Sequence, residues 1–407
     1  MQNLSTNLYW SKKSKIKNVY PYITDNLSCD VLIIGGGISG ALTSYFLAKE
    51  GIDVIVVEKN IIGYGSTIAA PALLDFNIDT EMYKLEKILN KEKSQKLFKL
   101  CLNAIDLIEK IDNEFEGDTE FKRQDSIFFT NKFMKKSNMA REFEARKNAG
   151  FDSTLIDSHT LLNINTGILT KNGSAVINPY EFTQNLFEYL NSYNNFKIFE
   201  NTNIEKIKCF LNGVECRTNN NFKIKANSLI FTSGIDTLKY IENDDLIELY
   251  KTFTIVSSPL IEKEYMKNRN VNFTARDIVE PNHYLRFDNE GRIIFSGENT
   301  KFNQKFLEKK YMTNIANEKY KRLSNYLNKL FNNEYKIPIE YSYNANYVGT
   351  KDNLPIIDEI PNMTNCFCNL GYGSNGILYS AIGASMLKNA INGLYTKDMN
   401  MFSINRW

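Results

Sequence analysis

The stretch Cys29–Asn60, CDVLIIGGGISGALTSYFLAKEGIDVIVVEKN, constrains the fold more than any other part of the chain. Asp30–Ile34 is a short β-branched and aliphatic run, as in a parallel strand covered on both faces. Ile38–Lys49 follows with helical periodicity, offering Ala41, Leu42, Tyr45, Leu47 and Ala48 to one face, and Gly51 closes it. Asp53–Glu58 reads as a second buried strand. A strand, a glycine turn, a helix and a strand within about thirty residues make a dinucleotide-binding half-unit. They predict an α/β protein with a parallel sheet.

Gly35, Gly37 and Gly40 spell Gly-x-Gly-x-x-Gly, made denser by Gly36. The first glycine permits the tight turn and the second a close approach to a pyrophosphate. The third lets the helix pack on the strand. The helix N-terminus, at Ile38 and Ser39, offers N–H groups and a partial positive charge to phosphates. Glu58 ends the second strand where an acidic residue holds ribose hydroxyls, which argues against a 2′-phosphate there.

Composition removes other classes. The formal net charge of +2 gives no global field to recruit nucleic acid or an anionic membrane. Only two histidines occur, His159 and His283, and six scattered cysteines form no CxxC pair, so no metal site is expected. The thiols read as free, in a reducing compartment. Val31–Ala48, the longest apolar run, is interrupted by four glycines and two serines, so no membrane span is expected. The N-terminal MQNLSTNLYWSKKSKIKN lacks the apolar region of a signal peptide. A cytoplasmic protein is the expectation.

Further along, Glu81–Ile111 is helical in pattern, with Leu97, Cys101, Ala104, Ile108 and Ile111 on one stripe. NPYEFTQNLFEYL (178–190) predicts a helix with Pro179 in its first turn. FKIFENTNIEKIKC and FKIKANSLIFTSG predict strands that return to the nucleotide unit. SIFFT, HYLRF and GRIIFSGE predict β structure elsewhere, residues 304–332 predict helix, and YGSNGILYSAIGASMLKNAI is a glycine-rich turn feeding a helix. With no linker or repeat, the expected domains interleave. Residues 1–90, 170–240 and 340–407 would form the cofactor domain, and 91–169 and 241–339 the substrate domain.

EKNIIGYGSTIAAPALL then places Gly63, Gly65, Ser66 and Thr67 just after the acidic residue. Here the chain resembles the amino-acid and amine oxidase family of FAD enzymes, which includes D-amino acid oxidase, glycine oxidase and monomeric sarcosine oxidase. The likeness runs along nearly the whole chain. NTNIEKI (201–207) resembles the strand that brackets the adenine, at Ile204, and LIFTSG (229–234) the segment near the pyrophosphate. YLRFDNEGRIIFSGE resembles a substrate-domain strand pair, and TKDNLPIID with GYGSNGILYS the stretch that reaches the flavin ring. The ending FSINRW resembles that of the monomeric sarcosine oxidases.

The resemblance implies a glutathione-reductase-like Rossmann FAD domain with an inserted antiparallel-sheet substrate domain. It assigns FAD to Gly35, Gly37, Ile38, Ser39, Gly40, Glu58, Lys59, Gly65, Ser66, Thr67, Leu73, Ile204, Ser233 and Gly234. The turn Gly371, Tyr372, Gly373, Ser374, Asn375, Gly376 and Ile377 would meet the flavin, its helix dipole favouring the reduced state. The implied reaction oxidises the C–N bond of a small amine or amino acid by hydride transfer to flavin N5. The product is an imine that water hydrolyses, and oxygen or another acceptor takes the electrons.

The chain also departs from the family. Leu378 stands where relatives carry a carboxylate-clamping lysine, and IAAPALLDFN has no arginine after the phosphate loop. Ala345, seven residues before Asp352, stands where relatives tether the flavin to cysteine, so the FAD is expected to be non-covalent. Lys251, Tyr284 and Arg286 are the catalytic candidates. Lys251 is read either as a lysine over the flavin or as a solvated one. Tyr284 and Arg286 share a strand face and would hold an anionic group, or form a packed aromatic and a rim ion pair. Tyr347 and Tyr372 are candidate aromatic walls, and His159 is expected on the surface. Two competing readings stay open: a hydroxy-acid or polyol-phosphate dehydrogenase with His283 as base, and a flavoprotein subunit that only relays electrons.

Overall fold

The aliphatic strand Leu27–Ile34 sits in the middle of a parallel sheet, between Val54–Val57 and Lys223–Phe231. The computed structural model describes residues 7–132, 135–241, 246–260, 266, 269–278, 281–302, 309–333 and 336–406. Across this sheet the order is Ile356–Glu359, Cys366–Leu370, Lys223–Phe231, Leu27–Ile34, Val54–Val57 and Phe196–Phe199. All of these neighbours pair in parallel except the first two, which are antiparallel. The hairpin Ile204–Phe210 and Gly213–Thr218 joins through Lys223–Phe231, giving eight strands among the described residues. The strands predicted to return to the nucleotide unit therefore do so.

The helix Ile38–Lys49 packs against both Pro179–Leu190 and Gly376–Ile391. Its residues from Ile38 to Tyr45, with Leu47 and Ala48, are all buried. The one-faced pattern expected of it is thus replaced by burial nearly all round, because helices flank it as well as the sheet. Pro179 occupies the first turn of its helix as predicted, and the Asn178 side chain caps it by accepting from the Glu181 N–H at 3.1 Å.

A second sheet of nine strands is antiparallel apart from the pair Lys122–Thr130 and Phe273–Asp277. It includes Leu73–Asp75, Thr166–Val176 and Ile339–Thr350, so the chain crosses between sheets inside the stretches 1–90, 170–240 and 340–407. Helix Lys309–Leu330 lies over this sheet; the start of the helix predicted at 304–332 falls partly outside the described residues.

The single helix expected over Glu81–Ile111 is two, Met82–Leu89 and Lys91–Asp112. Asn90 separates them at φ +83° and caps the second by accepting from the Lys93 N–H at 3.0 Å. A short helix at Tyr9–Lys13, absent from the sequence expectations, buries Trp10 completely. All six cysteines are free thiols. Among the described residues no helix is long and apolar enough to cross a membrane.

Candidate functional site

The glycine turn closes on Glu58. Its Oε2 accepts the Gly36 N–H and its Oε1 the Asn60 N–H, each at 2.9 Å. Burial pushes the Glu58 carboxyl up, and these two N–H groups pull against that shift. Each oxygen keeps a further lone pair for a ribose hydroxyl. At Gly40 an added Cβ would lie 2.0 Å from the Gly35 carbonyl oxygen, so only glycine lets helix and turn approach this closely. Thr67 ties the following loop back by accepting the Ile38 N–H at 3.0 Å.

Between the two sheets lies a cavity of about 690 Å³. One part is lined by Gly35, Gly37, Ile38, Ser39, Glu58, Lys59, Gly65, Ser66, Thr67 and Leu73, joined by Ile204, Ser233 and Gly234. Another is lined by Gly371, Tyr372, Gly373, Ser374, Gly376 and Ile377, with Tyr284, Tyr347, Thr252, Ser296 and Asn346 from the second sheet. Residues far apart in sequence thus meet around one elongated space. Its first part has the acidic strand end and helix N-terminus that a dinucleotide requires. Lys59 is paired with Asp236 there. Tyr347 stacks on Tyr250 with centroids 5.3 Å apart, and the Tyr372 hydroxyl meets that of Ser39 at 2.7 Å. Both tyrosines proposed as aromatic walls line the cavity.

A carboxylate that the sequence did not flag organises the second part. Asp79 Oδ1 accepts from Arg276 Nη2 at 2.6 Å, Ser374 Oγ at 2.5 Å and the Tyr284 hydroxyl at 3.1 Å. Its Oδ2 accepts the Ser374 N–H at 3.1 Å. Arg276 also donates to the Asn77 carbonyl at 3.0 Å, and its side chain is 1% exposed. Burial pushes the Asp79 carboxyl up, but Arg276, Ser374 and Tyr284 outweigh it and the net shift is downward. Gly373, at φ +56°, has room only for hydrogen on this side, since a Cβ would lie 2.8 Å from Asp79 Oδ2.

Several candidates stand elsewhere. Lys251 does not line the cavity, although its neighbour Thr252 and its cross-strand partner Asn346 do. The Lys251 ammonium lies 6.0 Å from the Phe302 ring centroid, and desolvation holds its pKa below the usual lysine value. The Lys251 residue is only 8% exposed, so it is not the solvated surface lysine of the alternative reading either. Arg286 also lies away from the cavity, because a two-residue step along a strand moves a side chain by roughly 6.6 Å. It donates to the carbonyls of Ala72 at 2.6 Å and Ile177 at 2.7 Å, beneath Trp10. Burial lowers its pKa to about 10.

Gly40 and Asn375 support the walls rather than forming them: Asn375 Nδ2 donates to the carbonyls of Asp75 and Asn77. His283 is held by Asp277 at 2.9 Å and faces Glu298 at 3.8 Å, outside the cavity. Burial lowers its pKa, and the two carboxylates then raise it to about 9. His159 is half-buried, its Nδ1 accepting the N–H groups of Leu161 and Leu162.

Sequence reasoning missed Asp79, Arg276 and Trp10. Arg276 had no signal in the sequence: its strand, Phe273–Asp277, pairs it with Tyr284 only once the sheet is formed. Asp79 lies outside helix and strand, 197 residues from its guanidinium partner, and carried none.

A family model described as FAD dependent oxidoreductase matches residues 30–390. The putative Rieske 2Fe-2S iron-sulfur protein YhfW of Bacillus subtilis (strain 168) is 25% identical over 410 residues, spanning 98% of this chain and 75% of that protein. The structure of L-proline dehydrogenase from P. horikoshii matches with a TM-score of 0.76 at 20% identity, covering 93% of this chain and 97% of that one. Glycine oxidase from Geobacillus kaustophilus matches with a TM-score of 0.75 at 17% identity, covering 94% and 100%. At such identities the two structures speak to the fold alone, and they share it over almost the whole chain.

Proposed function

The chain belongs to the FAD-dependent oxidoreductase family, and from that premise we propose that it oxidises the C–N bond of a small amine or amino acid. When bound, FAD supplies the acceptor for a hydride leaving the carbon next to nitrogen. The amine lone pair then forms the C=N bond, and water hydrolyses the imine. FAD would be held by Glu58, Ser39, Ile204 and Ser233 in one part of the cavity and by the turn Gly371–Ile377 in the other. The N-terminus of helix Gly376–Ile391 offers positive potential to charge that builds on reduction. None of the six cysteines and neither histidine lines the cavity, which supports a non-covalent cofactor.

The observation that carries the C–N reading is the position of His283. Removing the proton of an alcohol calls for a base within hydrogen-bond reach of its hydroxyl. His283, the base the competing reading requires, is engaged by Asp277 and Glu298 away from the cavity. A neutral amine needs orientation and a dry pocket, and it supplies its own lone pair. Tyr284, Tyr347 and Tyr372, with the hydroxyls of Thr252 and Ser296, form such a wall.

The test is anaerobic reduction of the purified yellow protein by a panel of amines, amino acids and hydroxy acids, followed by absorbance. Bleaching by a nitrogen substrate is expected, and readmitted air then shows whether oxygen accepts the electrons. Bleaching by hydroxy acids alone would overturn the proposal. A protein that binds FAD but is bleached by nothing in the panel would favour the relay reading.

A further inference from the structure

We propose that Asp79 fills the anion seat of the substrate pocket with the chain's own carboxylate, so that the substrate is an amine that bears no carboxylate. The inference rests on the C–N reading and narrows it. A guanidinium, a phenol, a hydroxyl and a backbone N–H converge on Asp79 at 2.5 to 3.1 Å. This is the donor set with which a pocket would grip a substrate carboxylate. Two of the donors, Tyr284 and Ser374, also line the cavity, so the seat opens onto the site. It is already full: Oδ1 alone accepts three hydrogen bonds. A second carboxylate beside Asp79 would set two anions against one desolvated guanidinium, which disfavours its binding.

The other described cations offer no substitute. Arg286 is committed to the carbonyls of Ala72 and Ile177, and Lys251, paired across the sheet with the cavity-lining Asn346, does not itself line the cavity. Lys59 is paired with Asp236, and the Lys239 ammonium lies 4.7 Å from the Tyr240 ring centroid in the nucleotide part. The amides of Asn346 and Asn299 are neutral. Asn346 Oδ1 and Asn299 Oδ1 are buried without a hydrogen-bond partner among the described residues, and both side chains line the cavity. Asn346 is only 8% exposed.

Two measurements on the oxidised FAD-loaded protein separate this inference from the reading beneath it. In the first, matched pairs that differ only by the carboxylate, such as pyrrolidine and proline or dimethylamine and sarcosine, are compared in anaerobic bleaching. The amine member is expected to react at least about tenfold faster. A carboxylate member that reacts equally well would overturn the inference and leave C–N oxidation standing. If no member of any pair bleaches the protein, the C–N reading and the substrate class fall together.

The second needs no turnover. Sodium acetate is titrated while flavin absorbance and thermal midpoint are recorded, for the parent, Asp79→Ala and Asp79→Asn. The parent should show no saturable response, whereas Asp79→Ala should bind acetate and gain thermal stability from it. Asp79→Asn should respond less than Asp79→Ala, since the amide still occupies the seat. Saturable acetate binding by the parent, or none by either variant, would show that Asp79 does not fill an anion seat.

Discussion

Around Glu58 the cavity is made largely of backbone: a glycine turn, a helix N-terminus and a carboxylate gripping two N–H groups, mostly within residues 35–67. Around Tyr284 it is made of side chains, joining Asp79 to Arg276 and Ser374 across almost three hundred residues. The first part presents groups that every peptide possesses, aimed by local geometry, so it suits a ligand common to many enzymes. The second can be rewritten by exchanging one side chain, so it suits the group that differs between substrates. Cofactor choice therefore rests on local geometry, and substrate choice on long-range pairing.

The comparison is broken most severely at Gly40. Replacing it by Val forces a side chain onto the Gly35 carbonyl, and the purified protein should be colourless or unfolded, as its visible absorbance and thermal midpoint will show. Next comes Asp79→Ala, which removes the ion-pair partner of the buried Arg276. A loss of about 3–5 kcal/mol is expected in denaturant unfolding, while FAD loaded at saturating concentration should still bind. If both fail together, the two parts are not separately built.

A smaller effect concerns His283. Its folded pKa, raised to about 9, exceeds the ordinary value of 6.5, so the protonated form is favoured by folding. This contribution is fully present below about pH 6.5 and fades as pH rises through 9, by at most about 3 kcal/mol. Unfolding curves of the parent should weaken over that window relative to His283→Gln. Parallel pH dependence in the two proteins would remove His283 as the cause.

Trp10→Phe deletes the indole donor to the Ala70 carbonyl at 2.8 Å, behind the loop that lines the nucleotide part. About 1–2 kcal/mol of stability should be lost, and FAD should dissociate more readily by fluorescence. The smallest effect is expected of Lys251→Met. Because Lys251 does not line the cavity, bleaching and reoxidation rates should stay within about twofold. A tenfold slowing of reoxidation would restore the lysine to the site.

The same contrast explains what was legible in the sequence. The fingerprint, Glu58 and the turn at Gly371 could be read because each is defined by a few consecutive residues. Face alternation correctly paired Tyr284 with Arg286, yet only Tyr284 reaches the cavity, since periodicity gives the side of a strand and not the position along it. Lys251 pairs with the cavity-lining Asn346 without lining the cavity itself, and the register shift between Lys251 and Phe253 that goes with this is not legible in the sequence. Asp79 and Arg276 stayed hidden because pairing at a separation of 197 residues leaves no periodic trace. The break at Asn90 was missed because the apolar stripe continues in the second helix, whereas the backbone does not.

The docking of helix Tyr9–Lys13 also bears on the order in which the chain assembles. Tyr9 and Lys13 bind Asp288, and Trp10 packs against Arg286. The helix leaves the ribosome well before these partners, which follow roughly 280 residues later, after tens of seconds at ordinary synthesis speed. Until then Trp10 has no completed seat. The indole can meet Ala70 early but lacks its Arg286 contact until the second sheet's strands emerge, which makes closing this contact a late event of folding.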